Sequence, residues 1–168
     1  PNEGLPTLEQ ALKLDPNNVD TLYWLAKMHY HGTGDTNSVK SIIKKALILD
    51  PNRVDCLDLL AEILSHGYGE EGLQESLELS RKAVQLEPSW PSPRMRLVSR
   101  LIQVNRLDEA EKFIYEGLEI FKEFELPKNA SRIDDYIEFM VTGRTHYGKS
   151  EFYRKFEKIK KLRKEKNS

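Results

Sequence analysis

Across residues 19 to 51, VDTLYWLAKMHYHGTGDTNSVKSIIKKALILDP, apolar positions recur at helical spacing. Leu22, Leu25, Ala26 and His29 fall at i, i+3, i+4 and i+7, and Val39, Ile43, Ala46 and Leu47 renew the stripe after the break His31-Gly32-Thr33-Gly34. The stretch predicts two amphipathic helices and a tight turn, and neither helix can bury its stripe alone. The same spacing predicts a helix from near Thr7, where Thr7-Leu8-Glu9-Gln10 has the capping-box pattern, to just before Pro16. Further helices are expected roughly over 18–31, 37–49, 53–65 and 71–86, each pair interrupted by HGTGD or HGYGE. Ser92 as N-cap with Pro93 at the first helical position opens another helix to about Val104, and 108–121 supplies its partner. No alternating run stands between turns, so the expected class is all-α.

The closing phrase of the first unit returns along the chain: ALKLDPN ends at Asn17, ALILDPN at Asn52, AVQLEPS at Ser89 and a degenerate GLEIFKE at Glu123. From Ala11 to Ala46 is 35 residues, from Ala46 to Ala83 is 37 and from Ala83 to Gly117 is 34. Self-similarity at a fixed period of this length marks a repeat array. With its signature offsets holding Leu22, Leu25-Ala26, Val39, Ile43, Ala46 and Pro51, then Leu57, Leu60-Ala61, Ser76, Ser80, Ala83 and Pro88, the chain resembles the tetratricopeptide-repeat family. A third unit offers Arg94, Leu97-Val98, Ala110, Ile114 and Gly117, with a charged first slot and Lys122 in place of the closing proline. The resemblance implies a right-handed helical solenoid of antiparallel helix pairs.

A half repeat plus three units is expected over 1–126, the first helix being the second half of a unit. Beyond Pro127, residues 127–168 read as a degenerate last repeat or capping hairpin with a basic tail. Tyr136, Phe139 and Met140 have the spacing of a first helix, and Phe152, Phe156 and Ile159 the 4-then-3 spacing of a second. A terminal unit needs a polar outer face, which KIKKLRKEK supplies.

The formal net charge of −1 conceals an asymmetry: residues 144–168 hold ten basic and three acidic side chains, leaving sixteen basic and twenty-four acidic before them. One cysteine, Cys56, excludes an internal disulfide and, beside Leu57, reads as a packed residue. No apolar run approaches the ~20 residues of a membrane span, and Pro1 to Pro6 lacks the regions of a signal peptide. These features point away from a membrane and toward an intracellular place, cytoplasmic or nuclear.

Gly143 to Ser150, GRTHYGKS, matches the phosphate-cradling loop G-x-x-x-x-G-K-[ST] letter for letter. That loop binds nucleotide when it joins a strand of a parallel sheet to a helix, with an acidic metal partner on another strand. Only 18 residues follow Ser150, and the match lies where the repeat expects a turn. His29 and His31, two apart on a helix, point to different faces, and His66 and His146 fall in or near turns, so no metal site is expected. No nucleophile carries a recognisable elbow. The chain reads as a non-enzyme with no cofactor.

In the resembled family the first helix of each unit lines a concave groove whose variable positions contact a protein or peptide partner. Carried over, these are Asp20, Tyr23, Lys27 and Tyr30, then Asp55, Asp58, Glu62 and Ser65, then Ser92, Met95 and Ser99. Helical spacing alone puts Asp55, Asp58 and Glu62 on one side, expected at the surface. Some relatives hold an acidic chaperone tail with a carboxylate clamp; its positions here carry Tyr23, Lys27, Leu59, Ser92 and Arg96, of which Arg96 alone keeps its type. The acidic groove instead suits a basic or neutral segment with apolar anchors. The second reading is nucleic-acid binding through Lys155, Lys158, Lys160, Lys161, Arg163 and Lys164.

Overall fold

The helical slots of the repeat signature are the positions the fold buries. The computed structural model describes residues 4–120 and 148–166, and these form helices α1 (Gly4–Leu14), α2 (Val19–Gly32), α3 (Thr36–Leu49), α4 (Val54–Gly67), α5 (Gly69–Leu86), α6 (Pro91–Gln103), α7 (Leu107–Ile120) and α8 (Gly148–Lys166), with no strand among the described residues. Leu22, Leu25, Ala26, Val39, Ile43 and Ala46 are all buried, as are Leu57, Leu60, Ala61 and Ala83, and Leu97, Val98, Ala110 and Ile114. The departures from pattern are buried too. Ser76 donates its hydroxyl to the Ala61 carbonyl at 2.6 Å, which satisfies a polar group where the repeat normally holds a small apolar one. In the first slot of the third unit, Arg94 is 3% exposed and donates from Nη1 to Glu116 Oε2 at 3.0 Å. Its guanidinium also lies over the Phe113 ring, 5.7 Å from the centroid.

The turns follow from short polar side chains. Asp15 and Asp50 each accept the backbone N–H two residues on, from Asn17 at 3.2 Å and Asn52 at 3.1 Å, so the recurring Asp-Pro-Asn folds as an Asx turn. Asn18 caps α2 by accepting from the Thr21 N–H, and Asp35 caps α3 by accepting from Asn37 and Ser38. Between α2 and α3, Gly34 takes φ +68°, a conformation that side chains with a Cβ resist. No glycine stands between α6 and α7. There Asn105 adopts φ 61°, while the Arg106 N–H returns to the Leu101 carbonyl and the Asn105 N–H to that of Ile102, a Schellman stop. Gly72 meets a different demand: a Cβ there would sit 2.7 Å from the Leu64 carbonyl oxygen, so only glycine lets α5 start this close to α4.

Two helix starts differ from the sequence-based expectation. α1 begins at Gly4, one turn before the Thr7 pattern, and α6 takes Trp90 as its N-cap with Pro91 in the first turn, one proline earlier than Pro93. Pro-Ser-Pro offers two prolines able to open a helix, and the repeat period does not choose between them.

The chain divides into two compact units, Pro1–Leu86 and Glu87–Ser168. In the first, each helix packs on the next in sequence, and α2 also touches α4, while α1, α3 and α5 do not touch one another through their described residues. The first helices therefore line the inner side and the second helices the outer. A repeated contact ties the outer helices to the preceding turn: Lys45 Nζ donates to the Pro16 carbonyl at 2.6 Å, and Lys82 Nζ to the Pro51 carbonyl at 2.6 Å. In the second unit α6 and α7 pair, and α8 packs on both. Packing on both helices of the preceding pair is how α4 sits on α2 and α3. In the α8 contact Ile159 is fully buried, Lys155 Nζ donates to Ser99 Oγ at 2.5 Å, and Arg163 pairs with Asp108 and Glu111. The expected positions Tyr136, Phe139 and Met140, and a strand before Gly143, lie outside the described residues.

Candidate functional site

On the inner face of the first unit, α2 presents Asp20, Tyr23, Lys27 and Tyr30 along i, i+3, i+7 and i+10, because its opposite stripe is committed to the core. Tyr23 and Tyr30 are half-buried and pack on that core through one edge. The Tyr23 ring meets the Trp24 ring edge-on with centroids 5.5 Å apart, and Lys27 Nζ lies 5.5 Å from the Tyr23 centroid and 5.1 Å from that of Trp24. Trp24 remains 44% exposed. Tyr30 likewise meets the His31 ring edge-on, centroids 5.3 Å apart. The face is an aromatic ridge with an ammonium group against it, a geometry in which ring quadrupole and charge attract.

From α4 come Asp55, Asp58, Glu62 and Ser65, but not as the open acidic patch that spacing suggested. Asp58 is 5% exposed, which corrects its expected surface position: one helical turn after Asp55, it falls under the flank of α4 that other helices cover. Asp55 is engaged by Arg53, whose Nε donates to Oδ1 at 2.8 Å and Nη2 to Oδ2 at 3.0 Å. The same guanidinium reaches back to α2, with Nη2 2.5 Å from Asp20 Oδ1. The hydrogen bonds it donates to Asp55 hold the Arg53 guanidinium above its ordinary range, with Asp20 adding to the effect. Glu62 and Ser65 are half-buried, the Ser65 hydroxyl donating to the Glu62 carbonyl at 2.8 Å.

Arg53 and Trp24 were not among the residues picked out by pattern. A signal for Arg53 was present: Asp20 and Asp55 sit 35 residues apart at the same offset of successive units, so a cation at the N-terminus of the second first-helix lies within reach of both. In the second unit, α6 carries the remaining three positions. Met95 is buried, Ser92 Oγ accepts from Arg96 Nε at 3.4 Å, and Ser99 donates to the Met95 carbonyl at 2.9 Å while accepting from Lys155. These three contribute little free polar surface to a ligand.

Chemistry is sparse elsewhere. Cys56 is buried, and burial pushes its thiol well above the usual range, the opposite of what a nucleophile needs. Among the described residues no three His, Cys, Asp or Glu side chains gather as a metal site, and no helix is long and apolar enough to cross a membrane.

No protein-family model matches the chain, and comparison with curated proteins finds no match. Solved structures do match. The chain is 20% identical to MamA, covering 99% of this chain and 90% of that one with a TM-score of 0.62. It is 19% identical to TTC0263, a thermophilic TPR protein of Thermus thermophilus, covering 92% and 79% with a TM-score of 0.59. It is 16% identical to the Yersinia enterocolitica type III secretion chaperone SycD, solved with a peptide of the translocator YopD, covering 86% and 93% with a TM-score of 0.61. The likeness establishes the fold: all-α, built from antiparallel helix pairs of the tetratricopeptide-repeat type.

Proposed function

We propose, on the premise of a tetratricopeptide-type fold, that the chain is a non-enzymatic protein-interaction module that holds a segment of a partner protein on the inner face of its repeats. The observation that carries this reading is the Tyr23–Trp24–Lys27–Tyr30 ridge of α2, facing the Arg53-linked carboxylates and Glu62. Half-buried aromatic rings give contact area at small entropic cost and are the side chains on which binding energy concentrates. SycD, of the same fold, has been solved with a peptide bound, which supports this use.

The ligand that fits is a neutral or basic segment with apolar anchors. Asp20, Asp55 and Glu62 contribute three negative charges, and Arg53 and Lys27 return two, so the aromatic ridge rather than charge is the principal anchor. The nucleic-acid reading gains no support from α8. Its Lys155 is engaged by Ser99 and its Arg163 by Asp108 and Glu111, and Lys160 and Lys161 each pair with a glutamate of α8, Glu157 at 2.7 Å and Glu165 at 3.9 Å.

A photo-crosslinking residue placed at Tyr30, with a second at the exposed Lys112 of α7 as control, tests the proposal in extracts of the native source. Capture of a protein from position 30 but not 112, lost on Tyr23→Ala, is the expected result. Capture of nucleic acid, or equal capture from both positions, overturns it.

A further inference from the structure

We infer that the turn between α5 and α6, Glu87 to Trp90, is a joint in the array: it opens on its own, and the two compact units move about it as separate bodies. The three turns that close a repeat share one backbone form. The Asn18 N–H returns to the Asp15 carbonyl at 3.3 Å, the Arg53 N–H to that of Asp50 at 3.3 Å, and the Trp90 N–H to that of Glu87 at 3.1 Å. What differs is the set of side chains laid over that backbone.

Three kinds of brace hold the first two turns. Asp15 and Asp50 accept the N–H of Asn17 and Asn52, a short reach that one methylene allows. The residue that opens the next helix is tied down as well. Asn18 accepts from the Thr21 N–H and donates to Asp15 Oδ2 at 3.3 Å, and Arg53 bonds to Asp55 and Asp20. The third brace is a lysine of the following outer helix, which donates to the proline carbonyl of the turn: Lys45 to Pro16 and Lys82 to Pro51, both at 2.6 Å. That lysine stands directly before the small residue of the closing phrase, in Lys45-Ala46 and Lys82-Ala83.

At the third turn every one of these slots is filled by a residue that does not brace. Glu87 and Ser89 replace the Asp and Asn, and Trp90, the N-cap of α6, makes no side-chain capping bond. The lysine slot before Gly117 holds Glu116, an ionised carboxylate with no proton to offer the Pro88 carbonyl, and Arg94 engages it at 3.0 Å. The boundary between the two compact units falls at this same turn, between Leu86 and Glu87. A backbone hydrogen bond stripped of the braces its counterparts keep is where local opening concentrates. The candidate ligand face of α2 and α4 lies wholly within the first unit, so it keeps its shape while the joint moves.

Amide exchange in the full chain tests the joint. After correction for neighbouring residues, the Trp90 amide is expected to exchange at least about tenfold faster than those of Asn18 and Arg53, although its hydrogen bond is the shortest of the three. Glu87→Asp with Ser89→Asn, which restores Asp-Pro-Asn, should slow it about tenfold. Spin labels on cysteines placed at the exposed Lys44 and Lys112, in a Cys56→Ala background, report on the units by pulsed dipolar spectroscopy. Their distance distribution should be broader than that of Glu9 with Lys44, both within the first unit, and should narrow in the double variant. Protection of Trp90 equal to that of Asn18 and Arg53 overturns the inference, as does a cross-unit distribution as narrow as the internal one. So does a double variant that melts like the wild type and changes neither measurement; should it fail to fold, the two wild-type measurements decide.

Discussion

Arg94 stands where the other units hold Leu22 and Leu57, and it makes a sharp test of how the fold tolerates a charge in its core. Its Nη1 is met by Glu116 at 3.0 Å and approaches the Phe113 carbonyl at 3.5 Å, while its buried Nε has no acceptor. Desolvation lowers the Arg94 pKa despite the Glu116 pairing. A cation that holds its proton less tightly folded than unfolded is one whose charged form costs folding free energy, so the guanidinium is a net burden. Removing one partner of a buried pair typically costs about 3–5 kcal/mol. Glu116 is 41% exposed and water shares its carboxylate, so Glu116→Gln should cost less, about 2–3 kcal/mol. Arg94→Met removes the charge and keeps the length, and should be neutral or stabilising by about 1–2 kcal/mol. The double variant should then match Arg94→Met, because an amide at position 116 strands no cation once the guanidinium is gone. One tryptophan lies in each unit, so fluorescence in a Trp24→Phe background follows urea unfolding of the second unit through Trp90. If Arg94→Met costs more than Glu116→Gln, the ion pair is a net stabiliser and the reasoning fails.

Ile159→Ala should destabilise the second unit by about 2–5 kcal/mol, as the side chain is fully buried under α7, and exchange protection along α8 should fall with it; unchanged protection would mean that α8 is not held by this contact. At Asp35 the hydrogen bond from the Ser38 hydroxyl holds the carboxyl below its ordinary range. A carboxylate with a depressed folded pKa stabilises above its unfolded pKa and loses that contribution as pH falls through the folded one. The gap in melting temperature between the wild type and Asp35→Ala should therefore be widest near neutrality and narrow in acid, and a gap independent of pH would refute the capping role.

The period carried most of the fold because the helical slots of its signature face the core, while the closing prolines Pro51 and Pro88 stand exposed in the turns. Ser76, Ser80 and Arg94 break the apolar pattern yet are buried like Val39, Ile43 and Leu22, which shows register outranking residue type. Local starts were less legible, since Pro91 and Pro93 are chemically equal invitations and only packing selects the first. For the candidate face, periodicity gave which positions share a helix side and not the charge they present. Periodicity put Asp55, Asp58 and Glu62 on one side of α4, but it says nothing of depth, and the flank between Asp55 and Glu62 turns Asp58 into the fold. The closure of Asp20 and Asp55 through Arg53 is a contact between repeats, invisible to a reading that treats each helix separately.

That closure changes what the inner face selects. Free carboxylates at Asp20 and Asp55 would project a field and speed the arrival of a basic ligand; bound to one guanidinium, they keep a single net negative charge and a weaker field. On the proposed reading, recognition would then rest on short-range contact with Tyr23, Trp24 and Tyr30, which governs how long a ligand stays rather than how fast it arrives.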